Sequence, residues 1–241
     1  MWQAGDELVD DLQQPTRRSL DSDEAKAGLQ FFLDLNLVHG VVPSREANAE
    51  QKPVDRFLAV GAAMLLESRQ AMPALREGAA FAWDAAPLPR GRAEAGILHG
   101  AGFCISAAAA DPEIAWAFAE FAGGVNGQTI LADTGRIVPS LKSVASGAVF
   151  LGTGGSGTPA PDAGPALASV FIDTIPLVRR VPTTSTWPEV EAMLDVLLER
   201  AFYGELPLDQ AVSLATALTE PAFERAAEES PTELRSAGPT G

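Results

Sequence analysis

The sequence predicts an α/β protein, because segments with helical periodicity alternate with short apolar runs that are typical of buried strands. Residues 62–66 (AAMLL) form such a run, bounded by Gly61 and a polar triplet. Asp111-Pro112-Glu113 is a typical helix start, and apolar side chains recur at helical spacing after Pro188. With 241 residues, of which 46% are hydrophobic, the chain can bury a sizeable core in one large domain or two small ones.

The N-terminal elements follow from capping residues and spacing. Ser22 precedes two acidic residues and apolar side chains at helical spacing, and Gly40 closes this first helix. A second, short helix carries Val54 and Phe57 and stops at Gly61. We expect three strands over residues 62–66, 81–86 and 103–106, of which the first is buried on both faces.

The later elements are predicted in the same way. A helix begins at Asp111 and ends at Gly123-Gly124, and the next runs over about residues 127–134 with Gly135 after its last turn. Residues 151–165 are rich in Gly and Pro, which favours a loop or linker. A helix then starts at Pro188 and ends at Gly204, a last helix covers about residues 208–225, and the tail from Glu228 is predicted to be disordered.

Composition excludes several function classes. Lys and Arg number 17 against 32 for Asp and Glu, a net charge of −15, which argues against nucleic-acid binding. Cys104 is the single cysteine, lies in an apolar run and is predicted to be a buried small hydrophobe. His39 and His99 are far apart and lack metal-ligand spacing, so neither a metal site nor any other cofactor is expected.

Neither a membrane-spanning stretch nor a signal peptide is visible in the sequence. Two alternatives follow: either the protein is cytoplasmic, if this chain is the whole product, or the chain is not the complete precursor.

Motifs for catalysis are weak. Residues 152–157 (GTGGSG) match G-x-G-x-x-G, but prolines follow where a nucleotide site needs a helix, so a flexible loop is favoured. No G-x-S-x-G elbow is present, and any choice of two carboxylates for a glycosidase is arbitrary. We therefore expect no catalytic residues; a glycosidase or other hydrolase is the less favoured alternative.

Aromatic residues are more informative. Trp83 and Trp116 lie in apolar contexts that favour core packing. Trp187 lies in a polar loop before a helix, where an exposed ring either stacks on a sugar or packs back on the helix as a staple; the residues alone favour neither. Arg69 follows the first predicted strand at the end where ligands bind in α/β sheets, although a surface arginine is the default interpretation.

These pieces occur in an order that resembles the extracellular solute-binding proteins of carbohydrate ABC importers, the maltose-binding-protein-like family. The resemblance rests on an ordered series of segments: residues 21–25, 40–44, 57–64 (FLAVGAAM), 83–89 (WDAAPLP), 100–106 (GAGFCIS) and 112–118 (PEIAWAF). It implies a type II periplasmic-binding-protein-like fold, present here as most of the C-terminal lobe and the returning part of the N-terminal lobe. Four segments are implied: 1–99 in the C-lobe, 100–148 returning to the N-lobe, 149–227 as linker and C-lobe helices, and the disordered tail 228–241.

The resemblance also implies a sugar in an interlobe cleft and no catalysis. The ligand-binding residues it suggests are Trp2, Ser68, Arg69, Gly100, Gly102 and Trp187. Relatives often have Gly-Arg-Trp where this chain has Ser68-Arg69-Gln70, so one stacking ring is missing. Gly100 and Gly102 resemble the hinge crossing, where glycines let main-chain amides approach a ligand.

Partners follow from the same resemblance: a carbohydrate ligand, the transmembrane subunits of an ABC permease, and a periplasmic or membrane-anchored extracytoplasmic location. Most of the family's first lobe has no counterpart in the sequence. The alternatives are a truncated remnant that does not transport and a subunit that needs a separate chain supplying the N-terminal lobe. Either predicts exposed strand edges and apolar helix faces over residues 103–145.

Overall fold

The computed structural model describes residues 1–151 and 169–229. Eleven α-helices are formed within these ranges, and their bounds are α1 Asp23–Leu37, α2 Arg45–Glu50, α3 Pro53–Leu58, α4 Met72–Gly78, α5 Pro112–Gly123, α6 Val125–Asp133, α7 Lys142–Ala145, α8 Ala148–Leu151, α9 Val170–Asp173, α10 Trp187–Phe202 and α11 Leu208–Glu229. Three short 3-10 helices cover Trp2–Ala4, Arg69–Ala71 and Ile175–Leu177. Two strands, β1 (Gly96–Ile97) and β2 (Val178–Arg179), pair with each other.

The chain divides into two compact units, each built from separate stretches of sequence. The first unit contains Met1–Ala47, Pro89–Leu98 and the chain from Arg179 onwards. The second contains Asn48–Leu88 and His99–Val178. Which family lobe each stretch belongs to stays a prediction.

The core of the first unit is formed by α1, α10 and α11. Along α10, Trp187, Val190, Leu194, Leu197 and Ala201 are buried at three- and four-residue spacing, which is the stripe expected of an amphipathic helix. Small buried residues let α11 pack closely against α10. They are Ala211, Ala215, Ala222 and Ala226. Each methylene buried in this helical core contributes about 0.8 kcal/mol to the stability of the unit.

Local capping explains why α1 and α5 begin where the sequence predicts. The Ser22 hydroxyl accepts a hydrogen bond from the Ala25 amide at 3.0 Å. The Asp111 carboxylate accepts from the amides of Glu113 at 3.1 Å and Ile114 at 3.0 Å. Each such cap contributes about 1 kcal/mol. Gly135 and Gly204, with φ values of 74° and 75°, end α6 and α10 in the left-handed region, as predicted.

The second unit holds two smaller apolar clusters. In one, Phe57, Ala71 and Leu75 are buried, with partly buried aromatic rings, including Trp83, packed around them. The other is centred on Ala132, Val144 and Phe150. The interpretation of Trp83 as a packing residue is therefore confirmed.

The three predicted strands are wrong. Residues 62–66, 81–86 and 103–106 have no strand structure, and Met64, predicted to be buried, is 89% exposed. Instead, Phe81 packs its ring edge against Phe57, with ring centroids 5.3 Å apart. A strand needs a neighbouring strand to satisfy its backbone groups, and in the described part of the chain none runs beside these three runs.

Around α5, apolar side chains are exposed, as predicted for this region. Ile114, Phe118 and Phe121 share one face of the helix and are 70%, 60% and 52% exposed. Trp116, on the opposite face, is 63% exposed, so its assignment to the core is wrong. Cys104 is exposed too, which corrects the prediction of a buried thiol. The strand edges predicted for residues 103–145 do not occur, because no strand forms within these described residues.

At the C-terminal end, α11 continues to Glu229, so Glu228 and Glu229, predicted to belong to a disordered tail, are helical. The rest of that tail, residues 230–241, and the GTGGSG stretch at 152–157 lie outside the described residues. Among the helices that are described, none is both long and apolar enough to cross a bilayer.

Candidate functional site

Trp2 lies on a short turn that is firmly anchored within the first unit. The carbonyl of Gln3 accepts hydrogen bonds from the amides of Arg92 at 2.8 Å and Ala93 at 3.2 Å. The Gln3 side chain donates to the carbonyl of Ala95 at 3.0 Å. A Cβ at Gly91 would lie 2.5 Å from the Gln3 carbonyl oxygen, so glycine is required there for this close approach. These contacts therefore fix the backbone of the turn that carries Trp2.

The Trp2 ring lies beside an ion pair. Its indole Nε1 donates to a carboxylate oxygen of Glu7 at 3.0 Å, and the other oxygen of Glu7 accepts from Arg179. Trp2 and Arg179 are half-buried, and the Glu7 side chain is 52% exposed. We call Trp2, Glu7 and Arg179 the indole–carboxylate–arginine cluster. It offers a flat apolar ring next to charged hydrogen-bonding groups that remain in contact with solvent.

The family resemblance suggests Trp2, but it does not suggest the other two members of this cluster. Glu7 and Arg179 are 172 positions apart, and nothing in their local sequences links them. Their proximity arises because Arg179 is in β2, which pairs with β1, and the Leu98 amide donates to the Arg179 carbonyl at 2.9 Å.

Trp187 is buried, which corrects the prediction that its ring is exposed. Only 5% of the residue is exposed, and it belongs to the core of the first unit. The guanidinium carbon of Arg18 lies 4.4 Å from the centroid of the ring. Of the two alternatives, the packing role describes this geometry; a part in ligand binding stays a prediction.

Arg18 itself is 6% exposed. Burial lowers the pKa of its guanidinium to about 10, against the attraction of Glu191 and Asp195, which raises it. Both carboxylates belong to α10, the helix that also carries Trp187. The cation therefore has negative charges close by, as buried charges normally require.

Arg69, in the second unit, is buried rather than at the surface. It is 6% exposed, and its guanidinium carbon lies 4.1 Å from the Phe150 ring centroid and 4.9 Å from that of Phe171. Its neighbour Ser68 is exposed and precedes the 3-10 helix Arg69–Ala71. The default interpretation of Arg69 as a surface arginine is therefore wrong.

Gly100 and Gly102 are exposed, and a Cβ added at either would meet nothing within 4 Å. Neither has a positive φ. No steric contact within the described chain therefore requires glycine at these positions, and their role near a ligand stays a prediction.

The predicted residues thus fall into separate groups. Trp2 and Trp187 belong to the first unit; Ser68, Arg69, Gly100 and Gly102 belong to the second. Within the described ranges, no group of three or more His, Cys, Asp or Glu side chains is arranged to hold a metal ion.

Known proteins resemble the chain in sequence and in fold. The family of bacterial extracellular solute-binding proteins matches residues 1–151. None of the curated proteins matches the chain.

Several solved structures share the fold, that of type II periplasmic binding proteins. An ABC substrate-binding protein of Listeria monocytogenes, in complex with cycloalternan, has a TM-score of 0.73 at 17% identity, covering 94% of this chain and 54% of that one. An ABC transporter solute-binding protein of Thermotoga lettingae, bound with α-D-tagatose, has a TM-score of 0.73 at 18% identity, covering 92% and 54%. The cyclic α-maltosyl-1,6-maltose binding protein of Arthrobacter globiformis has a TM-score of 0.61 at 16% identity, covering 93% and 54%.

This chain therefore spans about half the length of the structures it resembles. More than half of its residues match the family's sequence pattern, and its fold agrees with that match. The chain belongs to the family of bacterial extracellular solute-binding proteins.

Proposed function

We propose that this chain binds a sugar or oligosaccharide and delivers it to the permease of an ABC importer on the extracytoplasmic side of the membrane. Family membership supports the role of a binding protein rather than an enzyme. The names of the similar structures support the ligand class, since they include cycloalternan, tagatose and a cyclic maltosyl-maltose.

The observation that carries the proposal is the indole–carboxylate–arginine cluster. A sugar ring has apolar faces made by its C–H groups and a rim of hydroxyls. The Trp2 indole offers a matching flat face, and Glu7 and Arg179 offer a charged acceptor and donor at its edge. A hydrogen bond to a charged group contributes about 1.5–3 kcal/mol net, against about 1 kcal/mol for a neutral one.

Isothermal titration against a panel of maltooligosaccharides, cyclic glucans and ketohexoses tests this proposal. The variant Trp2→Ala should lose at least tenfold in affinity for whichever sugar binds. Trp116→Ala is the matched control, since it removes an exposed indole on α5 and should leave the affinity within twofold. Equal affinities for the wild type and Trp2→Ala would remove the cluster from the site.

The remaining predicted contacts are proposed as secondary. Ser68 and the amides near Gly100 and Gly102 are exposed and offer hydrogen bonds to sugar hydroxyls. Arg69 is the proposed charged contact in the second unit. Trp187 is covered by Arg18, so it can contact a ligand only if Arg18 first moves away from the ring.

We propose as a second candidate that the chain works only together with a polypeptide segment that supplies the rest of the two-lobed fold. The exposed apolar side chains on two faces of α5 support this, because a helix that is apolar all round is normally buried. A chain with half a cleft should bind sugar only weakly. Reading the genomic DNA upstream of the Met1 codon tests this: an in-frame first lobe, or an adjacent gene encoding one, is expected.

If no gene encodes such a lobe and the chain alone binds sugar with micromolar affinity, this second candidate is excluded. A truncated remnant that does not transport corresponds to the outcome in which no sugar binds and no lobe is encoded. Glycoside hydrolysis would replace both candidates if the chain turned over a glycoside and a single carboxylate substitution abolished the turnover.

A further inference from the structure

Arg69 is a buried cation in contact with two aromatic rings. The Phe150 ring is fully covered and lies 4.1 Å from the guanidinium carbon; the half-buried Phe171 ring lies 4.9 Å away. A cation–π contact is strongest where water is excluded, so these two contacts favour the observed position of the guanidinium. The group is therefore packed within the unit and has little room to move before a ligand arrives.

Its hydrogen-bonding groups have no partners. Nε and Nη1, which together carry three of the five N–H donors of an arginine, are buried and have no acceptor within the described structure. A buried polar group left unpaired destabilises the folded chain, and more so when the group is charged. Nη2 is not among these buried atoms, so it is the nitrogen at which a ligand can approach.

The charges around Arg69 make this arrangement unusual. Burial lowers the pKa of its guanidinium to about 10, and the nearby Arg76 lowers it as well. Among the described residues, no carboxylate opposes these effects. Arg18 is equally buried and also stacks on a ring, but Glu191 and Asp195 lie near it. Both arginines are thus buried against aromatic rings, but only Arg18 has carboxylates nearby among the described residues.

We propose that Arg69 recognises an anionic group of the ligand, and therefore that the sugar taken by this chain carries a carboxylate or a phosphate. This inference rests on the proposed sugar-binding function and specifies its substrate class. A neutral hydroxyl would leave the buried charge uncompensated, whereas an anionic oxygen supplies the missing counter-charge and forms hydrogen bonds about twice as strong as neutral ones.

Net charge strengthens the argument for a local site. A chain with a net charge of −15 repels anions at long range, although salt screens this repulsion beyond about 8 Å at physiological ionic strength. A fixed cation at short range would therefore favour an anionic sugar at this site despite the net charge of the chain. The Arg69–Arg76 pair concentrates positive charge at one point of an otherwise acidic chain.

Titration with matched sugars tests the proposal on the wild-type chain. The probes are glucose, glucuronate and glucose 6-phosphate, together with galactose and galacturonate, each measured by calorimetry at about pH 7. We expect at least one anionic sugar to bind tenfold or more tightly than its neutral counterpart. Comparing the uronates with glucose 6-phosphate shows whether the preferred anionic group is a carboxylate or a phosphate. Equal affinities within each matched pair would overturn the inference and leave sugar binding standing.

Variants of Arg69 test whether the preference for anionic sugars arises at this residue. Arg69→Gln should reduce the anionic preference to twofold or less, while Arg69→Lys should retain part of the preference. Arg136→Gln, at an exposed arginine of the same unit, is the control and should change nothing. If Arg69→Gln fails to fold, Arg69→Lys and the wild-type pairs decide. A preference that survives in Arg69→Gln would overturn the inference, and a chain that binds no sugar at all would overturn the proposed function with it.

Discussion

The guanidinium of Arg18 lies over the face of the Trp187 ring, 4.4 Å from its centroid, and both residues are buried. Arg18 belongs to an N-terminal segment in which Val9 and Arg18 form an antiparallel bridge. Trp187 is the first residue of α10. The stacked pair therefore fastens the beginning of the chain to the helix that dominates the core of the first unit.

Removing this stack should destabilise the first unit. We expect Arg18→Ala to lower the free energy of unfolding by about 2–3 kcal/mol, because it removes a desolvated cation–π contact and leaves a cavity beside the ring. Arg18→Met should lose less, since its unbranched apolar chain still covers the indole. Guanidinium chloride unfolding followed by tryptophan fluorescence measures both, and Arg17→Ala, at an exposed position, is the control. A control variant as unstable as Arg18→Ala would contradict the argument.

The Arg18–Trp187 pair also separates what the sequence predicts from what only the tertiary structure shows. The start of α10 was predictable, because Pro188 and the apolar stripe that follows it are local signals. The burial of Trp187 was not, because its cover comes from a distant part of the chain. The strand predictions for residues 62–66, 81–86 and 103–106 were wrong for a related reason: an apolar run becomes a strand only with a partner, and none lies beside these runs in the described part of the chain. Helix ends, set by caps such as Ser22 and Asp111, needed no such partner.

Asp10 should make stability depend on acid pH. Burial raises the pKa of its carboxyl, but hydrogen bonds from the Thr16 hydroxyl and from the amides of Asp11, Thr16 and Arg17 outweigh this and lower the pKa to about 2. Because the pKa is lowered on folding, the stabilisation is complete above the ordinary value near 4 and is lost as the pH falls through about 2. The group is largely exposed, so screening limits the effect to about 1 kcal/mol.

The measurement is urea unfolding of the wild type and Asp10→Asn at pH 7, 4 and 3. The difference in midpoint should be largest at pH 7 and shrink between pH 4 and 3. Glu224→Gln, at an exposed carboxylate on α11, should show no such trend. A difference that stays constant over this range would show that the hydrogen bonds do not depend on ionisation.

The exposed apolar face of α5 should cause the chain to associate when it is alone. Ile114 and Phe118 lie one turn apart, and Phe103 packs edge-on against Phe118 with centroids 5.7 Å apart. We expect the double variant Ile114→Glu/Phe118→Glu to shift the sedimentation profile towards the monomer. Val196→Glu, at an apolar residue that is 59% exposed on α10, should leave the profile of the wild type unchanged. A wild-type chain that is monomeric at about 100 μM would contradict the expectation of a surface that needs covering.

The close approach at Gly91 should couple folding to the indole–carboxylate–arginine cluster. In Gly91→Ala the new Cβ would lie 2.5 Å from the Gln3 carbonyl oxygen, a separation that forces the Trp2 turn to move. We expect a loss of about 1–3 kcal/mol of stability. Sugar affinity should fall as well, since Trp2 follows the turn; calorimetry on samples shown to be folded by circular dichroism measures this. Wild-type affinity in a folded Gly91→Ala would mean that the position of the indole does not matter for binding.

Gly100 offers the opposite case, because its surroundings are empty within the described chain. A Cβ there meets nothing within 4 Å, and its φ is not positive, so Gly100→Ala should leave stability unchanged or raise it by up to about 1 kcal/mol through the unfolded state. If a ligand approaches the main chain at this point, however, the added methyl group lies in its way. We therefore expect Gly100→Ala to bind the sugar found by titration at least fivefold more weakly while unfolding at or above the wild-type temperature. Gly123→Ala is the control, since its Cβ also meets nothing within 4 Å and it ends α5. Unchanged affinity in Gly100→Ala would show that the glycine serves chain flexibility and does not face the ligand.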